Sequence, residues 1–325
     1  AGIGVARSPL LFQGGNLLVV GDPGGDGRLL LAGDAEIDRN VALGLRREEI
    51  RAAMRTEFGV DRVVVLRPPA FHLDFATTIR RVPVDPARRG GPTRAVAFVH
   101  DEDAGFDLML EIGLDRLVRA GVLEAAVAAE ARSALAAGDR RRVIDLVGPP
   151  LYARQRADGM WPLTLADAFG DAPGREGVAV LDRFLCAFER LMGLELEPRQ
   201  VPGPPEVQVY LATYPRREAD LAAFDRALED LGFELVRLPG FALQRRSVNA
   251  VNMVHGRDRI LRPVSGGTLA PLDEAARAVL EATVGRSVRI IDLPTAETQR
   301  RSGAVGCAVA AWPRAARAAP GPLLP

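Results

Sequence analysis

The sequence predicts an α/β fold made of repeated β-β-α-β units and broken once by a helical insertion. Three observations carry this expectation. The first hundred residues alternate short apolar, β-branched runs with helical spacing. From about Ala104 to Glu197, Ala, Leu, Arg and Glu dominate at helical period. The last third returns to the opening rhythm, as a repetition of pattern without an exact sequence repeat.

In chain order, Leu17–Val20 and Arg28–Ala32 read as strands split by the turn Asp22-Pro-Gly-Gly-Asp-Gly27, a hairpin signature. Glu48–Phe58 reads as a helix stopped by Gly59. Arg62–Leu66 is a β-branched strand closed by Pro68-Pro69, and Phe71–Val82 and Arg94–His100 read as two more strands. Helices are expected at Leu108–Ala120, Val122–Ala137 and Val178–Met192, with interruptions at Pro149-Pro150 and at residues 170–177. Val201-Pro-Gly-Pro-Pro205 is the linker back to α/β. Beyond it, Val207–Thr213, Phe233–Leu238, Val248–His255, Arg259–Val264, Ser287–Leu293 and Ala304–Ala311 read as strands. Glu218–Leu231 and Leu272–Thr283 read as helices. The domain organisation expected is therefore residues 1–103 and 201–325 as two parts of one α/β domain, with 104–200 inserted between them.

Composition narrows the function classes. The chain has 325 residues, 48% of them hydrophobic, enough for a substantial core. Forty-two basic and 42 acidic residues cancel, so charge gives no reason to expect nucleic acid or an anionic membrane as partner. Every basic residue is Arg, which fits codon bias in a GC-rich genome. No run approaches the ~18 apolar residues of a membrane helix, and the start lacks the pattern of a signal peptide. Two cysteines, Cys186 and Cys307, exclude a disulfide scaffold and a cysteine-rich zinc site. A reducing cytoplasm is the compartment expected, where a lone functional thiol stays reduced. The first residue is not Met and a motif follows almost at once. The natural N-terminus is accordingly expected upstream, or processed away.

Four short segments carry candidate chemistry. Gln13-Gly14-Gly15-Asn16 precedes a strand, and paired glycines let backbone approach a ligand or turn tightly. In His72-Leu-Asp74, strand alternation would put imidazole and carboxylate on one face, a pair suited to proton transfer and cation binding. Val251-Asn252-Met253 leads into His255-Gly-Arg-Asp258. Ser302-Gly-Ala-Val-Gly306-Cys307 sets a thiol after a glycine-rich approach, where amides or a cation can favour thiolate. Each segment alone also fits a structural role. Cys186, at helical spacing in an apolar run, reads as core packing.

Taken together and in this order, the segments resemble the pentein superfamily of guanidino-modifying enzymes: arginine deiminases, agmatine deiminases, protein-arginine deiminases and amidinotransferases. Phe71-His-Leu-Asp-Phe75 is similar to the H-L-D strand of arginine deiminases. Val251-Asn-Met253 with Arg262-Pro263 resembles the matching strand of protein-arginine and agmatine deiminases. The resemblance covers roughly residues 1–100 and 205–312 and leaves out the insertion.

The resemblance implies an α/β propeller of β-β-α-β modules around a funnel, an incomplete ring if an N-terminal module is absent. A separate expectation for the insertion is that it covers the mouth and restricts substrates, with a role as scaffold or oligomer contact as the alternative. It implies Cys307 as nucleophile, His72 as proton-transfer residue and Asp74 as the grip on the guanidinium, with Asn252, Gln13, Gly14, Gly15, Asn16 and Gly306 shaping or binding substrate. No metal or organic cofactor is implied. The partner is a small guanidino compound or an arginine side chain, and self-association stays open. Three departures stand out. No acid precedes Gln13 to supply the usual second carboxylate, for which Asp22 is a substitute; Gln13 stands where Glu is usual; Gly306 stands where His is usual. A hydrolase, an amidinotransferase and a binding protein that has lost catalysis all remain compatible with these residues.

Overall fold

The computed structural model describes residues 8–87, 91–158, 163–170, 175–195, 205–243, 246–300 and 305–308. After a short 3-10 turn at Gly14–Asn16 come β1 (Leu17–Gly21), β2 (Arg28–Gly33), α1 (Asp34–Ala42), α2 (Arg47–Phe58), β3 (Arg62–Leu66), α3 (Leu73–Ala76), β4 (Thr77–Pro83) and β5 (Thr93–Asp101). A helical stretch follows: α4 (Glu102–Arg119), α5 (Ala125–Ala136), α6 (Arg140–Asp158), α7 (Leu163–Phe169), α8 (Arg175–Glu195) and α9 (Pro205–Asp230). The chain then forms β6 (Glu234–Pro239), β7 (Val254–His255), β8 (Arg259–Val264), α10 (Ala270–Val284), β9 (Arg289–Pro294), α11 (Ala296–Arg300) and α12 (Val305–Ala308).

The strands make three sheets of one topology, ordered β1-β2-β3, β4-β5-β6 and β7-β8-β9. In each, an antiparallel hairpin is followed by a helical crossover to a third strand parallel to the second. The fold is α/β, and the β-β-α-β unit read from the sequence occurs three times. In the middle unit the crossover is the whole stretch from α4 to α9.

Strand alternation explains the layering. Leu29 and Leu31 of β2 face β5 residues Ala95, Ala97 and Val99, whereas Leu30 and Ala32 face Ile37, Ile50 and Met54 of α1 and α2. On β5, Val96 and Phe98 point the other way, against Val251, Ile260, Ala276 and Leu280 of the third unit. Both central strands are thus buried on two faces, which is why they read as continuous apolar runs. The helical stretch has its own core, joined to the rest where Phe106 stacks on Phe241 at 4.5 Å. Arg183 of α8, almost fully buried, donates twice to the Ser247 carbonyl, each at 3.1 Å.

Several expectations need correction. Val207–Thr213, expected as a strand, lies within α9, so helix extends to Asp230 and not to the expected boundary near 200. α9 starts at Pro205, where the first turn needs no N–H donor, and runs on through Pro215 to Asp230. Pro149-Pro150 lie inside α6 without ending it, since Val143, Val147 and Leu151 on either side are anchored in the core. Phe71–Val82 becomes strand only from Thr77, and Val248–His255 only at Val254. Ala304–Ala311, within the described residues, is a single helical turn. Helices α1 and α7 had no counterpart in the sequence reading. Among the described residues no helix is long and apolar enough to cross a membrane.

Candidate functional site

His72 and Asp74 come together by a different route from strand alternation. His72 is the extended residue before α3, and Asp74 lies in that helical turn. The turn forms because Asn16 Oδ1 accepts the otherwise orphaned Leu73 amide at 3.0 Å, while the Phe75 amide closes on the His72 carbonyl at 3.3 Å. The result sets His72 Nδ1 4.0 Å from Asp74 Oδ1, with both side chains about four-fifths covered. His72 Nε2 meets Gln13 Oε1 at 2.9 Å. A carboxamide oxygen only accepts, so this contact calls for a proton on Nε2.

The Gly-Gly turn is held from behind. Glu36, fully buried on α1, accepts the Gln13 amide at 2.9 Å and Asn16 Nδ2 at 2.9 Å, and pairs with Arg39 at 2.8 Å. Asn40, one turn on, exchanges hydrogen bonds with both backbone groups of Leu11. Gly15 then approaches so closely that a Cβ there would stand 2.6 Å from His72 Nδ1 and 2.9 Å from Asp74 Oδ1. Only hydrogen fits. Gly14 has open space and no such demand.

From the other side comes Asn252, nearly fully buried. Its Nδ2 donates to the Asp74 carbonyl at 2.8 Å, and its Oδ1 accepts the Gly306 amide at 2.5 Å. A Cβ on Gly306 would lie 2.8 Å from that same Oδ1. A carboxamide spans only ~2.3 Å from oxygen to nitrogen, so the Asp74 carbonyl oxygen and Gly306 nitrogen lie within roughly 8 Å. Cys307 follows Gly306 in α12. Its side chain lies outside the described residues.

All four segments singled out in the sequence therefore meet: Gln13–Asn16, His72–Asp74, Asn252 and Gly306. No protein-family model matches the chain, and no curated protein or solved structure matches it. The site stands on its geometry.

Asp22 does not join it. Asp22 closes the β1–β2 turn, accepting the Gly24 amide and pairing with Arg62 at 3.1 Å. It lies at the far end of a five-residue strand from Asn16, roughly 20 Å away. Of the two roles expected for Asn252, shaping the pocket is the one its geometry fits, because its amide is engaged by backbone on both sides. The sequence reading missed Glu36, Asn40 and Asn249. Asn249 is buried, donates to the Phe75 carbonyl at 3.0 Å and accepts the amides of Val251 and Asn252. His100 Nε2 meets the same carbonyl at 3.1 Å. The one available signal was the polar residue between apolar neighbours in Ala-Glu36-Ile and Val-Asn249-Ala.

Chemically, the cluster offers a carboxylate and an imidazole that keep some exposure, on a floor of glycine and asparagine. A planar cation fits a carboxylate through paired, charge-assisted hydrogen bonds. An imidazole within reach can move protons at its nitrogens.

Proposed function

We propose that the chain is a deiminase-type hydrolase of a guanidino group, of pentein-like architecture, acting through a covalent intermediate on Cys307. What supports the reading is the meeting of Gly15, His72, Asp74, Asn252 and Gly306, drawn from positions almost three hundred residues apart, with Cys307 the next residue in the chain. Asp74 holds the guanidinium. The Cys307 thiolate attacks its central carbon, and the C–N bond to one terminal nitrogen breaks as His72 supplies a proton, releasing ammonia. A thiouronium remains on sulfur. His72 then takes a proton from water, the hydroxide adds to the same carbon, and the C–S bond breaks. The thiolate returns and a ureido product leaves.

A second reading, a binding protein of the same architecture that has lost catalysis, is favoured by Gln13: the group touching His72 is a neutral amide, not a carboxylate. One experiment separates the two. A colorimetric ureido assay is run on arginine, agmatine, a peptidyl arginine and a methylated arginine, with Cys307→Ala as control. A haloacetamidine, a reactive guanidinium mimic, is run beside it. The hydrolase forms ureido product that C307A does not, and labels Cys307 rapidly while Cys186, fully buried, stays unmodified. A new guanidino compound in place of ureido product would identify an amidinotransferase. No product, with equally slow labelling of both cysteines, would leave the binding reading.

A further inference from the structure

An exposed aromatic ring adjoins this cluster. Phe71, immediately before His72, leaves 42% of its surface open. Its ring lies against the His72 imidazole at 4.5 Å and against buried Phe75 at 4.8 Å, so it is fixed in place and not waving in solvent. Leu11, at 52% exposure, lies two residues before Gln13, the residue whose side chain reaches His72 Nε2. Its backbone is pinned at both N–H and C=O by Asn40. Phe71 thus adjoins the imidazole that Gln13 touches, and Leu11 stands two residues before Gln13 in the chain. Holding them rigid and open costs hydration, and neither is needed to fill a core.

Charge complementarity says what covers them. In the guanidino reading Asp74, 4.0 Å from the imidazole on which Phe71 rests, holds the cation inside. The Phe71 ring beyond calls for hydrocarbon. A ligand matching both is a cation with an apolar tail. We propose that Phe71, with Leu11, is the specificity determinant of this site, selecting an alkylguanidinium with an uncharged stem over a free amino acid. A zwitterionic head at the end of the stem would have to leave water against the Phe71 ring, which an uncharged stem does at far lower cost. The proposal rests on the guanidino reading of the site and names the substrate class within it.

The test is binding, so that it does not depend on turnover. Dissociation constants are measured by calorimetry on the full chain for guanidinium and for methyl-, ethyl-, propyl- and butylguanidinium, and for arginine. Wild-type affinity should rise roughly two- to fourfold per methylene over the longer members. Butylguanidinium should bind more tightly than arginine. Phe71→Ala should flatten the series while leaving guanidinium itself unchanged, and Phe71→Leu should keep most of the slope. Should guanidinium bind but the slope be the same in F71A, or arginine bind best, the proposal for Phe71 falls and the guanidino site stands. Should no guanidinium bind the wild type at all, both fall.

Discussion

Acid should open the joint between the second and third sheets, through His255. Its Nε2 meets Thr78 Oγ1 on β4 at 2.8 Å, and its ring stacks over Phe98 of β5 at 6.3 Å. Beside it, Arg80 donates to the carbonyls of Gly256 and Arg257, with Asp258 near enough to favour the Arg80 charge. Burial, helped by the Arg80 guanidinium, pushes the imidazole down from 6.5 to about 3. The unfolded chain keeps an ordinary imidazole and so takes the proton first as pH falls. Stability from this group is complete above pH 6.5, is lost between 6.5 and about 3, and falls no further below. Each pH unit in that window is worth at most ~1.4 kcal/mol, or roughly 5 kcal/mol across it. The residue keeps some exposure, so relaxation and water should reduce this to about half.

Other groups oppose the loss. Asp107, Glu189 and Asp273 are held above the usual carboxylate range, chiefly by burial, and gain stability as they protonate. The informative quantity is therefore the difference from His255→Gln. Urea unfolding midpoints at pH 7.5, 5.5 and 4.5 should show the wild type losing about 1.5 kcal/mol more than H255Q over that range. Parallel curves for the two proteins would refute the argument.

Gly15→Ala drives a methyl into His72 and Asp74, and should lower ureido formation at least about a hundredfold with only a small change in Tm. Gly14→Ala, in open space, should stay near wild type in the same assay. Glu36→Leu leaves Arg39, the Gln13 amide and Asn16 without their acceptor, and should cost about 3 kcal/mol in chemical denaturation and abolish activity with it. Phe241→Ala, which empties the place stacked on Phe106, should cost about 3–5 kcal/mol in the same measurement. Asn252→Ala should slow haloacetamidine labelling of Cys307 more than tenfold while the intrinsic reactivity of the thiol is unchanged.

The repeat of sheets was legible because β2, β3 and β5 are short, β-branched or aliphatic, and bounded by Gly and Pro. Helix α2 was legible because Gly59 adopts the left-handed conformation that ends it. The meeting of the motifs was legible in their order, but their local geometry was not. Alternation could not reveal that α3 is a helical turn, because the cause is a side chain 57 residues away, Asn16 on the Leu73 amide. Likewise nothing near Asn252 announces that its partners are the carbonyl of Asp74 and the amide of Gly306, 178 and 54 positions off. Asp22 was read as a site carboxylate on residue type, whereas β1 carries it to the other end of the sheet. Periodicity finds faces; it does not find the partners of polar side chains.

Those partners also tie the helical insertion to the site. Follow the hydrogen bonds outward from Gly306. Its amide rests on Asn252, whose own amide rests on Asn249, whose side chain also holds Phe75 at the end of α3. Two residues before Asn249, the Ser247 carbonyl takes both donors of Arg183 from α8. On the far flank Gln299 of α11, buried, accepts the Asn249 amide. The segment 247–252 belongs to no strand; besides one backbone bridge between Val248 and Phe241, it is held by side chains of α8 and α11 and by its own Asn249 on α3. A short irregular loop buried this way stays put only while each backbone group keeps its partner. The distance between Asp74 and Gly306 is thus set by two asparagine side chains, and the loop that carries them is set in part by a helix of the insertion.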